Sequence, residues 1–209
     1  MNSDDAVGVN NQSEDQSNNQ SNDQSESAKD GAASEDAIVR TATKLLVGVF
    51  AAADVDDSHG SLHAQQVLRN LDAALQTADH FLTPERRLAC RLAALLHDAD
   101  DAKYFKRAPA TDGDGSDAAF PNAAAVAGAA GASASIVADA LRMISWVSCS
   151  KNANRVPAEA EAEPELLWPR WADRLEAVGE VGVARCYLYA LHTVRAAAAT
   201  HTARHYRGP

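Results

Sequence analysis

Three short polar stretches stand where apolar residues would be easier to bury: Ser58-His59-Gly60-Ser61-Leu62-His63, His97-Asp98 and Asp173-Arg174. His63, His97, Asp98 and Asp173 together supply two imidazoles and two carboxylates. That donor set suits a borderline-to-hard divalent ion such as Mn²⁺, Fe²⁺, Co²⁺ or Mg²⁺. An ion held with open positions can bind a phosphate oxygen and lower the pKa of a water. Taken singly, each residue has an ordinary reading. His63 lies one turn before Val67 at the border of an apolar stripe, where a histidine usually packs or is solvated. His97-Asp98 follows a leucine-rich helix turn, and such pairs at helix ends are common. Asp173, Glu176 and Glu180 lie away from the apolar face of Trp171, Leu175 and Val178, so periodicity reads them as a solvated face. Only the combination points to a site.

Helices must position these groups. Ser34, Glu35 and Asp36 form a helix start, and Ile38, Leu45, Leu46 and Val49 recur at helical spacing to about Ala53. A turn at DVDDSHG leads to a helix over about 61–79 with Val67, Leu68, Leu71 and Leu75 as its stripe. Thr83-Pro84-Glu85 supplies an N-cap, an N1 proline and a first-turn acid for the helix that reaches His97-Asp98. Residues 106–121 are rich in Pro, Gly and Asp and read as a loop. An alanine-rich helix with a break near Gly131 follows, then a helix marked by Ile136, Val137, Leu141 and Ile144 that ends near Ser148. Residues 152–165 read as a polar connection and about 166–199 as one long helix. With no strand and no internal repeat, the expectation is an all-α bundle of five to seven helices.

Composition narrows the function. Alanine supplies 45 of the 209 residues, which favours helix and leaves large apolar side chains scarce. Of the net charge of −10, about −8 falls in residues 1–36, leaving a nearly neutral body. No nucleic-acid-binding surface is evident in such a body. Residues 1–34 are mostly Asn, Gln, Ser, Asp and Glu and read as a disordered tail. Residues 35–200 form the domain, and 201–209 a flexible end in which His201 and His205 lack a third ligand. Residues 185–209 carry Arg185, Arg195, Arg204 and Arg207 without an acid, which reads first as a solvated helix end, with contact to an anionic substrate or partner as the alternative. No apolar run approaches a transmembrane length, and the polar N-terminus offers no secretory signal. Cys90, Cys149 and Cys186 are odd in number and widely spaced, so the expectation is free thiols in the cytoplasm.

The order H…HD…D on an all-α chain resembles the HD-domain metal-dependent phosphohydrolase superfamily. More narrowly, it is similar to small stand-alone bacterial HD proteins of the nucleotide pyrophosphohydrolase type. Four stretches carry the resemblance: SHGSLHAQQV (58–67), LAALLHDADDAKYF (92–105), ISWVSCSKN (144–152) and ADRLEAVGEVGVARCYLY (172–189). The last is the most specific, because its glycine spacing within a long helix is uncommon. The resemblance implies His63, His97, Asp98 and Asp173 as metal ligands, with His59 near the site and Asp101 orienting or deprotonating water. Lys103, Lys151 and Arg174 match basic positions that meet phosphate or support the site through ion pairs. Mn²⁺ is the first choice of ion, with Mg²⁺, Co²⁺, Fe²⁺ or Ni²⁺ as alternatives.

The implied activity is metal-dependent phosphohydrolysis of a small phosphorylated substrate, a nucleotide first. The alternative is a weak or inactive HD module that binds a nucleotide or a protein partner. Departures from the family pattern leave the four ligands in place. Gly60 stands where Asp is usual after His59, Trp171 replaces the first Asp of D-A-D-R-L-D, and Glu176 replaces the last. Asp100 occupies a position where a small residue is usual.

Overall fold

The computed structural model describes residues 15–56, 59–78, 82–105, 119–148, 152, 155–180, 182–187, 190, 191 and 194, with side chains from residue 34 onward. Among these, regular structure is helical throughout. The elements are α1 (Asp15–Ala52), α2 (Ser61–Ala78), α3 (Pro84–Leu96), α4 (Pro121–Ala129), α5 (Ala134–Val147), α6 (Glu159–Ala162), a 3₁₀ turn (Pro164–Leu167) and α7 (Trp168–Leu175). The chain divides into two units, Met1–Ala37 and Ile38–Pro209, and the fold below is that of the second.

α3 is the central helix. Thr83 caps it by accepting from the Arg86 N–H, and Pro84 occupies its first turn as its fixed φ favours. Its buried residues run from Leu88 through Leu96 with one gap at Arg91, so it is apolar nearly all round and packs against α2, α5 and α7. Alanine makes this close approach possible. Ala64 of α2, Ala93 and Ala94 of α3, Ala123 of α4 and Ala140 of α5 are fully buried among Leu71, Leu92, Leu95, Leu141 and Met143. A core of small side chains lets helix backbones lie close together, which is how few large apolar residues suffice here.

α1 begins at Asp15, ahead of the start expected at Ser34. Its buried stripe is Val39, Ala42, Leu46 and Phe50, whereas Leu45 is exposed and Ile38 and Val49 only flank the core. The Asn/Gln/Ser-rich stretch from Asp15 offers no apolar face for packing to hold. Residues 1–14 of the expected tail lie outside the described residues, as do 201–209.

The connection over 152–165 is more ordered than its polar sequence indicates. It contains α6 and leads into the 3₁₀ turn, where Leu166 and Leu167 are buried. The expected single helix over 166–199 is interrupted. α7 stops at Leu175, the N–H groups of Glu176 and Ala177 turn back to the carbonyls of Asp173 and Arg174, and Gly179 takes φ +67°. Helical residues resume on either side of Gly182, where a Cβ would meet the Ala177 carbonyl at 2.4 Å. The two glycines thus have separate tasks: one turns the chain left-handed, and the other admits a backbone contact.

Asp100 explains one departure from the family pattern. Its buried carboxylate accepts from the N–H groups of Asn122 and Ala123 at 3.0 and 2.9 Å. These are first-turn donors of α4, so the acid capping that helix comes from a distant segment. Asn122 Nδ2 donates to the Ala99 carbonyl in return, at 2.9 Å.

Candidate metal centre

His63, His97, Asp98 and Asp173 reach one point from α2, the C-terminal end of α3 and α7. His63 Nε2 lies 3.2 Å from His97 Nε2, 3.7 Å from Asp98 Oδ2 and 3.3 Å from Asp173 Oδ1. His97 Nε2 lies 3.4 Å from Asp98 Oδ2 and 3.7 Å from Asp173 Oδ1. Donors around one ion at ~2.1 Å are roughly 3.0–3.5 Å apart. The separations lie at or slightly above that range, and His63, His97 and Asp98 form a group that could hold a metal ion. Both imidazoles are buried, while the two carboxylates are partly open to solvent.

Local structure makes this convergence possible. His63 falls on the α2 stripe one turn before Val67 and is buried with it. His97 caps α3 at its carbonyl end, where the helix dipole favours a positive charge. Its Nδ1–H donates to the Ala94 carbonyl at 2.9 Å, which leaves Nε2 as the atom facing the cluster. α7 is tied to α2 by Asn70 Nδ2, which donates to the Ala172 carbonyl at 3.2 Å beside Asp173.

The electrostatics show a demand for positive charge. Burial by itself would lower the His97 pKa, but the Asp98 and Asp173 carboxylates outweigh it and raise the group to about 9. Burial would likewise raise Asp98, yet His97 and His63 hold it well below the usual carboxylate range. Asp173 is lowered for the same reason, by His63 and His97 against its own burial.

A second group lies behind Lys103. The Lys103 ammonium is 3.2 Å from His59 Nε2 and 3.8 Å from Asp101 Oδ2. His59 Nδ1 lies 3.4 Å from the Tyr104 oxygen, and the Tyr104 hydroxyl donates to the Asp56 carboxylate. Burial holds the His59 imidazole below its ordinary range against the pull of Asp98, leaving Nε2 able to accept from Lys103. Asp101 also accepts the Lys103 backbone N–H at 3.0 Å, forming a tight turn.

These groups surround an open cleft of about 430 Å³ lined by His59, His63, Asp98, Asp101, Lys103 and Asp173, together with Glu176, Gly182, Arg185 and Cys186. Arg185, half-exposed and helical, lines this cleft, which agrees with the alternative reading of its segment as a contact for an anion. Glu176 is a correction to the sequence reading: its side chain is largely buried, with Oε2 3.9 Å from His63 Nδ1. Periodicity missed it because the helix expected over 166–199 turns at this residue. Arg174 does not line the cleft; its guanidinium stacks over Trp171, 4.8 Å from the ring centroid. Lys151 lies outside the described residues.

No protein-family model matches the chain, and no solved structure does. The chain is 30% identical over 158 residues to "Uncharacterized protein L803" of Acanthamoeba polyphaga mimivirus. The match takes in 63% of this chain and spans 60% of that protein's length. Among the described residues, no helix is long and apolar enough to cross a membrane.

Proposed function

We propose that this chain is a divalent-metal-dependent phosphohydrolase of the HD type that acts on nucleotides in the cytoplasm. The observation that carries the reading is the pair of imidazole nitrogens 3.2 Å apart, each within 3.3–3.7 Å of a carboxylate oxygen of Asp98 and of Asp173, in a cleft that also presents Lys103 and Arg185. His63, His97, Asp98 and Asp173 hold the ion, Mn²⁺ in the first instance. When bound, a divalent ion there polarises a phosphate oxygen and makes a nearby water more acidic. Asp101 orients the attacking water and accepts its proton on a carboxylate oxygen. Lys103, held in place by His59, offsets charge on the phosphate oxygens, and Arg185, which lines the same cleft, does so as well. The substrate is a nucleoside triphosphate cleaved to monophosphate and pyrophosphate, or a monophosphate cleaved to nucleoside and phosphate.

The test uses protein stripped and reloaded with Mn²⁺, assayed against deoxynucleoside triphosphates, nucleoside monophosphates and bis-nitrophenyl phosphate. Turnover above an Asp98→Ala control supports the reading, and its absence on every substrate removes it. Trp171, stacked under Arg174 where the family pattern has an acid, favours a second reading as a non-catalytic nucleotide-binding module. Bound metal with nucleotide binding but no turnover selects that one.

A further inference from the structure

The His63 ring presents its two nitrogens to two carboxylates of the same turn of chain. Nε2 faces Asp173 Oδ1 at 3.3 Å, and Nδ1 faces Glu176 Oε2 at 3.9 Å. The turn that joins these acids is closed by the Glu176 N–H donating to the Asp173 carbonyl at 3.0 Å. His63 Nδ1 is buried and has no hydrogen-bond partner at its present distance from Glu176. Buried ring nitrogens are normally satisfied. A ring that offers the Nε2 lone pair to a cation must also carry its proton on Nδ1. His97 meets the same requirement through the Ala94 carbonyl. His63 sits on the first turn of α2, and the acceptor its Nδ1 faces is Glu176.

We propose that Glu176 is a positioning residue that accepts the Nδ1–H of His63, fixes the tautomer with Nε2 toward the cluster, and thereby sets the affinity of the site for a divalent cation. The inference rests on the metal reading above. A change of Glu176 rotamer that shortens the contact by about 1 Å makes the hydrogen bond. Outer-shell acceptors of this kind raise the basicity of a ligating imidazole and hold its plane.

The experiment is calorimetric titration of the full chain with Mn²⁺ alone, comparing wild type, Glu176→Leu, Glu176→Gln and Glu180→Gln. Glu180 is a nearby exposed acid and controls for net charge. Glu176→Leu is expected to bind Mn²⁺ about 10- to 100-fold more weakly. Glu176→Gln keeps an acceptor oxygen and is expected to stay within about threefold of wild type, as is Glu180→Gln. Unchanged affinity in Glu176→Leu overturns the proposal. A Glu176→Gln loss as large as that of Glu176→Leu also overturns it, because charge rather than the acceptor is then responsible. Wild-type protein that takes up no Mn²⁺ removes the metal reading itself, an outcome distinct from both. Circular-dichroism melting of each metal-free variant verifies that the fold is intact, and Glu176→Gln decides the matter if Glu176→Leu does not fold.

Discussion

The two ends of α3 gather charge in opposite ways. At the N-terminal end, Arg86 pairs with Glu163 at 2.9 Å and with Asp139 at 3.7 Å, while Arg142 pairs with the same Glu163 at 3.3 Å. Cations and anions there stand opposite one another in part-buried ion pairs. At the C-terminal end, His97 and Asp98 meet His63 and Asp173, and the cluster consists of lone pairs with no Lys or Arg among its four members. The first arrangement sets each guanidinium against a carboxylate, although Arg86 Nη1, 3.7 Å from Asp139, makes no hydrogen bond. The second sets two imidazoles against two carboxylates and could hold a metal ion. Charge density alone therefore does not distinguish the two ends; what differs is whether Arg side chains or imidazoles stand among the acids.

The largest break in that comparison comes from the C-terminal end. Elemental analysis is expected to find about one transition metal per chain in the wild type and none in His63→Ala, whereas Glu163→Ala keeps its metal. Equal metal content in the two variants would erase the distinction between the clusters.

Next in size is Asp100, which belongs to the C-terminal end but caps α4. Asp100→Ala leaves the N–H groups of Asn122 and Ala123 without their carboxylate and is expected to cost about 2–3 kcal/mol in urea unfolding. The folded protein should still bind metal, which would separate the scaffold acid from the ligand acid two residues before it.

Cys90 tests the interior of the helix. Burial pushes its thiol up to about 12 from an ordinary 9.0. Between those values an unfolded chain releases a proton that the folded chain keeps. Stability contributed below pH 9 is thus lost as pH rises, by ~1 kcal/mol at pH 10. Urea midpoints at pH 8 and pH 10 should converge in Cys90→Ala by that amount relative to wild type; an unaltered pH dependence would count against the buried thiol.

The smallest effect belongs to the N-terminal ion pairs. Glu163 and Arg86 are partly exposed, so Glu163→Ala is expected to cost under ~1 kcal/mol, less in high salt. A loss above ~2 kcal/mol, insensitive to salt, would mean that this end is as buried in effect as the other.

Much of the fold is legible in the sequence because the core helices carry local signals. Thr83-Pro84-Glu85 announces α3, and the break at Gly131 separates α4 from α5, as the structure has them. Where local signals are weak, the reading fails. α6 and the 3₁₀ turn arise in a stretch of Ala, Glu and Pro that becomes ordered by burying Ala160, Leu166 and Leu167. The end of α7 is misread because an apolar and acidic period continues smoothly through Leu175–Val178, while the chain turns there on Gly179. That misreading sends Glu176 to solvent in the sequence view and into the cleft in the structure.

By itself, the sequence determined the residue types at the site, the helical class and the order in which the helices deliver His63, His97-Asp98 and Asp173. These follow from period, caps and chemistry, all of which act over a few neighbouring residues. Tertiary structure decided that four side chains from three helices share one point, that His59 stands behind Lys103, and that Asp100 serves α4. It also decided which of the acids near residue 176 faces His63. Those outcomes depend on how closely alanine-lined helices approach and where the backbone turns, and neither distance is encoded in any one stretch of the chain.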